Sequence, residues 1–122
     1  MDKKSKCQLY LITPARFDLN WFSKRLNIAL DAGPVACLQL RLKNVEDNAI
    51  KLAAETLLPI CHSYRIPLIM NDRPDLAMVT GCDGVHVGQA DVSYNEARSI
   101  MGSDLTVGVT CKNSRHLAVE AA

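Results

Sequence analysis

Three polar side chains alternate with leucines in the stretch "CLQLRLK", Cys37 to Lys43. In a strand, Gln39, Arg41 and Lys43 would all turn to one face, since successive side chains point to opposite sides. A guanidinium fork beside an ammonium suits phosphate oxygens, and the Gln39 amide can orient a ligand. Cations inside an apolar strand are costly without a partner; the plainer reading is that Arg41 and Lys43 lie beyond the sheet and are solvated. Further on, "NDRPD" offers Asn71 and Asp72, "GQAD" offers Gln89 and Asp91, and "VGVT" ends on Thr110. Two carboxylates near two cations suit Mg2+ shared with substrate phosphates, because that ion takes a few carboxylates plus phosphate oxygens. Asp72 could instead cap the helix starting at Arg73-Pro74, and Asp91 a helix starting near Ser93-Tyr94.

Other reactive side chains point less clearly to chemistry. His86 lies within an apolar strand, on the opposite parity to Val85 and Val87, where a hydrogen-bonded structural role is the usual one. His62 and His116 fall on helical stretches and read as solvated, and Arg73, Asp75, Glu96 and Arg98 read as helix-surface charges or caps. No nucleophile elbow, P-loop or histidine pair with metal-ligand spacing is present. The five cysteines, Cys7, Cys37, Cys61, Cys82 and Cys111, are scattered and form no C-x-x-C pair. Reduced, core-filling thiols are expected.

The elements that must position these groups alternate along the chain. Strands are expected over 7–13, 35–41, 66–71, 83–88 and 104–110, with helices over 17–31, 45–64, 73–81, 93–102 and 114–122. In the first helix Phe22, Leu26 and Ala29 form the apolar stripe, with Ile28 and Leu30 nearby, and Pro59 should kink or interrupt the second. Five β-α units with apolar strands imply an α/β fold with a parallel sheet covered by helices. An open doubly wound sheet is disfavoured, because Thr13-Pro14-Ala15-Arg16 stands where a glycine-rich dinucleotide loop would follow the first strand. The polar residues instead collect at the C-terminal ends of successive strands, where (β/α)8 barrels of TIM type build their sites.

The 122 residues suffice for one domain. A hydrophobic content of 48% with 22% charged residues is ordinary globular composition. A net charge of +1 gives no electrostatic case for nucleic acid or an anionic membrane. No apolar run approaches the ~20 residues of a membrane span. The basic opening "MDKKSKC" leads only into a strand-length apolar segment, so a cytoplasmic protein is expected.

Taken together, "LYLITP" (9–14), "LQLRLK" (38–43), "NDRPDLA" (71–77), "DGVHVGQAD" (83–91) and "VGVT" (107–110) resemble thiamine phosphate synthase, also called thiamine-phosphate pyrophosphorylase. The resemblance runs from Leu9 to the last residue. It implies a barrel transferase of thiamine biosynthesis, which joins hydroxymethylpyrimidine diphosphate to thiazole phosphate and releases pyrophosphate. By position, Gln39, Arg41, Lys43, Asn71 and Thr110 would hold the pyrimidine diphosphate, with Arg41 and Lys43 stabilising the leaving group. Asp72 and Asp91 would hold Mg2+. Thr110 stands where the family usually has serine, and the hydroxyl is kept.

The resemblance covers the first five β-α units only. The family's "GADYVGLGPVFPTxTK" segment and the late thiazole-phosphate site would follow Ala122, so residues 1–122 read as the N-terminal portion of an incomplete barrel. A complete one takes about 250 residues, about 200 at the lower end. Such a portion is expected to self-associate or to pair with a complementing C-terminal half, and to be weakly active or inactive alone. Two other readings compete. A related thiazole tautomerase would use a histidine and need no Asp72–Asp91 pair, and a non-catalytic half-barrel would bind a phosphorylated ligand without turnover.

Overall fold

In a computed structural model, which describes residues 7–122, the units fall close to where the sequence puts them. The order is β1 (Leu9–Ile12), α1 (Leu19–Ala32), β2 (Val35–Leu40), α2 (Asp47–Ser63), β3 (Leu68–Asn71), α3 (Pro74–Thr80), β4 (Gly84–Val87), α4 (Tyr94–Met101), β5 (Thr106–Val109) and α5 (Arg115–Ala121). All four strand pairs are parallel and the sheet order is β1-β2-β3-β4-β5. A doubly wound sheet reverses its order at a switch point. This one does not, and it curls into a half-barrel.

The two faces of the sheet differ in composition. Leu38 and Leu40 of β2, Leu68 and Met70 of β3, and Val85 and Val87 of β4 face the helices and pack with Leu26, Leu30, Ala54, Leu57, Cys61, Ala77 and Ala97. The opposite parity carries Tyr10, Cys37, Gln39, Ile69, His86 and Gly108, several of which line a concave cavity of about 390 Å3. Two glycines let the strands approach there. A Cβ at Gly84 would stand 2.6 Å from the Thr106 carbonyl oxygen and 2.9 Å from Ile69 Cδ1, and one at Gly108 would stand 2.6 Å from His86 Nδ1.

The helix starts follow local chemistry. Asp18, Ser93 and Ser114 each accept a backbone N–H of the first turn of α1, α4 and α5. Pro74 sits at the start of α3, where its missing N–H costs nothing.

Several expectations need correcting. Pro59 does not interrupt α2, which runs unbroken from Asp47 to Ser63. Both Pro59 and Glu55, whose carbonyl loses its partner, face solvent, while Leu57 and Cys61 lock the other face onto the sheet. In α1 the buried positions are Leu26 and Leu30, with Phe22 half-buried; Ile28 and Ala29 point outward. The cysteines do not all fill the core. Cys37, Cys61 and Cys82 are buried, Cys111 is half-buried and Cys7 is exposed; all are free thiols. Burial pushes the Cys61 thiol up to about 12.

Candidate phosphate and metal site

The expected strand over 35–41 ends at Leu40, so Arg41 and Lys43 stand just past the sheet. They are nevertheless held in place. Thr13 N–H donates to the Gln39 carbonyl (2.9 Å), and Arg41 N–H donates to Thr13 Oγ1 (2.9 Å). Lys43 N–H donates to the Ala15 carbonyl (3.1 Å), and Arg16 Nη2 to the Asn44 carbonyl (2.9 Å). The loops after β1 and β2 are thus zipped together, extending the parallel pairing beyond the strands.

Lys43 is not solvated in isolation. Its Nζ donates to Asp72 Oδ2 at 2.5 Å. Asp72 does not cap α3; the cap position is Arg73, whose side chain bonds no helix N–H. Asp72 sits in the left-handed region at φ 67°, donates its N–H to the His86 carbonyl (2.7 Å), and is followed by a tight turn from Arg73 N–H to the Asn71 carbonyl (2.8 Å). A left-handed aspartate costs on the order of 1 kcal/mol and persists only where its surroundings fix it.

Asp91 does not cap α4 either, since Ser93 does. Its Oδ2 accepts the Gly88 N–H (2.9 Å) and closes the turn after β4. That turn brings the carboxyls of Asp91 and Asp72 together. Burial pushes the Asp72 carboxyl up, but the hydrogen bond from Lys43 and the charges of Lys43 and Arg41 outweigh it and hold the pKa below the ordinary value. Two adjoining carboxylates repel unless a cation lies between or beside them. Lys43 supplies one, and the pair of hard oxygen donors suits a second. Among the described residues no group of three or more His, Cys, Asp or Glu side chains stands ready to enclose a metal by itself. An ion that keeps waters and takes phosphate oxygens fits a pair; an all-protein cage does not.

The remaining expected residues lie towards the same end of the sheet. Arg41 is exposed and acts on Asp72 through its charge. Asn71, half-buried, ends β3 opposite His86. Thr110 lies just after β5, with its N–H on the Val87 carbonyl (3.0 Å) and its carbonyl accepting Gln89 Nε2 (2.6 Å). Gln39 is the penultimate residue of β2. It is 3% exposed on the concave face, where its Nε2 donates to the Tyr10 hydroxyl (3.0 Å).

His86 takes the hydrogen-bonded place that its strand position suggested, and Tyr10 one that nothing in the sequence marked. His86 hydrogen-bonds Thr110 Oγ1 through Nε2 (2.6 Å) and rests over Gly108. Burial lowers its pKa, against the opposing charges of Asp72 and Asp91. Its parity opposite Val85 and Val87 was the available signal. Tyr10 lines the same cavity, and its even position in "LYLI" carried no comparable mark.

Cations, a carboxylate pair and a hydroxyl stand past the C-terminal ends of four consecutive parallel strands, β2 to β5, the end at which barrel folds build their sites. The sequence pattern of the thiamine monophosphate synthase family matches residues 9–122, and the chain belongs to that family. It is 57% identical over 115 residues to a thiamine-phosphate synthase of Rhodospirillum centenum, covering 94% of this chain and 56% of that one. A thiamine-phosphate synthase of Erythrobacter litoralis is 43% identical over 117 residues, covering 93% and 54%. A solved thiamine phosphate pyrophosphorylase from Pyrococcus furiosus superposes with a TM-score of 0.80 at 27% identity, over 93% of this chain and 54% of that one. The chain therefore spans about half the length of the relatives it matches.

Proposed function

We propose that this chain carries the pyrimidine-diphosphate half of a thiamine phosphate synthase site, and that it acts as a transferase in thiamine biosynthesis once the rest of a barrel is supplied. The observation that carries this reading is the Lys43–Asp72–Asp91 cluster at three consecutive strand tips. In the reaction, the C–O bond from the pyrimidine methylene to the diphosphate breaks with its electron pair on the leaving group. The thiazole nitrogen lone pair then forms the new C–N bond. No side-chain nucleophile is required.

The chain's own residues have work suited to that chemistry. Lys43 and Arg41 set positive charge where the departing diphosphate gains negative charge, and preorganised charge of this kind lowers such barriers. Thr110, bonded to His86, offers a hydroxyl, and Asn71 an amide on the strand at the other side of His86. Gln39, already tied to Tyr10 through its nitrogen, has its amide oxygen left for a ring substituent. Asp72 and Asp91 would hold Mg2+, which supplies neutralisation of the diphosphate charge when bound.

The free thiols suit a reducing compartment, so a cytoplasmic setting belongs to the same reading. No helix among the described residues is long and apolar enough to cross a membrane. Small-molecule substrates are the expected partners, together with either a complementing C-terminal half or further copies of this chain.

The test is thiamine phosphate formation from the two substrates, with this chain alone and with the C-terminal half of a full-length relative added in trans. Turnover on addition supports the reading. Tight pyrimidine diphosphate binding with no turnover in either arm would favour a binding module instead.

A further inference from the structure

Arg73 follows Asp72 directly, yet it faces away from the Lys43 pair. Its Nη1 and Nη2 donate to the two carboxylate oxygens of Asp47 at 2.9 and 3.1 Å, and its Nε and Nη2 donate to those of Asp75 at 3.0 and 2.9 Å. Asp47 is the first residue of α2, the helix entered from the loop that carries Arg41 and Lys43. Asp75 lies in the first turn of α3, the helix entered from the Asp72 turn. One guanidinium therefore links the loop after β2 to the loop after β3.

The backbone presents that guanidinium with little freedom. Pro74 is fully buried and restricts the residue before it to extended conformations, and Arg73 is found at φ −119°, ψ 86°. With two carboxylates on it, the guanidinium carries no net positive charge towards a phosphate. Hydrogen bonds from Arg73 hold the Asp47 and Asp75 carboxyls below their ordinary values, so both stay ionised at neutral pH.

We propose that Arg73 is a positioning residue that straps the Arg41–Lys43 loop to the Asp72 turn through Asp47 and Asp75. It touches no substrate; it fixes where the Asp72 carboxylate stands relative to Lys43 and Asp91. The ion pairs are largely exposed, with side-chain exposures of 40% for Arg73, 53% for Asp47 and 58% for Asp75. Exposed pairs contribute little to global stability unless their geometry is bidentate and networked. Arg73 meets both conditions, but what its pairs tie together is two helix starts beside the site, so the effect is predicted at the Asp72 turn and not in the core. What needs holding is the left-handed turn at Asp72.

The variants are Arg73→Lys, which keeps the charge and loses the fork, and Asp47→Asn, which takes the charge and one of the two acceptors from the far anchor. The first readout is amide hydrogen exchange, which does not depend on the proposed activity. The Asp72 N–H, bonded to the His86 carbonyl, should exchange about tenfold faster in both variants, while the Leu68, Met70 and Val85 amides keep their protection. The second readout rests on the synthase reading: affinity for magnesium pyrophosphate should fall about tenfold in both variants with unchanged thermal midpoints. Unchanged Asp72 exchange in both variants overturns the strap, whatever the ligand data show. Faster exchange of Asp72 and the core amides together overturns it too, because Arg73 would then be supporting the whole fold. Faster Asp72 exchange alone, in a protein that binds no magnesium pyrophosphate, upholds the strap and counts against the synthase reading.

Discussion

At the scale of residues, the account turns on a carboxylate kept ionised next to a lysine. The Asp72 pKa is lowered in the folded chain, so its contribution to stability is present above the unfolded value of about 3.9 and is lost as pH falls through the lower folded value. Thermal midpoints measured from pH 6 down to pH 2 should fall further for the parent than for Asp72→Asn, with the difference closing below about pH 4. Equal falls would mean that Lys43 and Asp72 do not stabilise one another. The sequence disclosed Gln39, Arg41 and Lys43 as a set because alternation with leucines is a strand pattern. It was silent on what holds the two cations, since the strand stops at Leu40 and the hydrogen bonds that Arg41 and Lys43 donate to Thr13 and Ala15 join loops 28 residues apart in the case of Thr13 and Arg41. The capping alternatives for Asp72 and Asp91 were fair on local grounds, and the fold decided against both through turns that no short motif encodes.

Among elements, the β-α alternation was readable almost throughout, because buried parallel strands are apolar runs and the helices carry cap residues. The observed strands are shorter than expected by one or two residues at most ends, as β3 (Leu68–Asn71) and β5 (Thr106–Val109) illustrate. Pro59 was misread because helix breaking was judged without knowing which face of α2 the proline would occupy. Glycines gave no warning of how closely β4 and β5 approach. Gly84→Ala places a methyl against the Thr106 backbone, so it should cost about 1–3 kcal/mol in urea unfolding, as overpacking does. A loss below about 0.5 kcal/mol would mean that β4 and β5 separate more readily than this packing allows.

For the whole molecule, order and exposure decide behaviour. The sheet runs from β1 to β5 without closing on itself, and Leu9 and Ile12 on β1 are 63% and 54% exposed. Unpaired strand edges bearing apolar side chains invite pairing with other chains. For a polypeptide of residues 1–122 by itself, sedimentation velocity should reveal association that grows with concentration and weakens in Ile12→Lys. A compact, cooperatively unfolding monomer over the whole concentration range would show that these surfaces need no cover. The half-barrel itself was legible in the sequence from the clustering of polar residues at strand ends, together with the missing dinucleotide loop. The most direct measurement is calorimetric titration of hydroxymethylpyrimidine diphosphate into the parent, Asp72→Ala and Asp91→Ala, each with Mg2+ and with a chelator. The account predicts binding by the parent only with the metal, and at least about tenfold weaker binding by either variant. Metal-independent binding, or binding indifferent to both carboxylates, would contradict it.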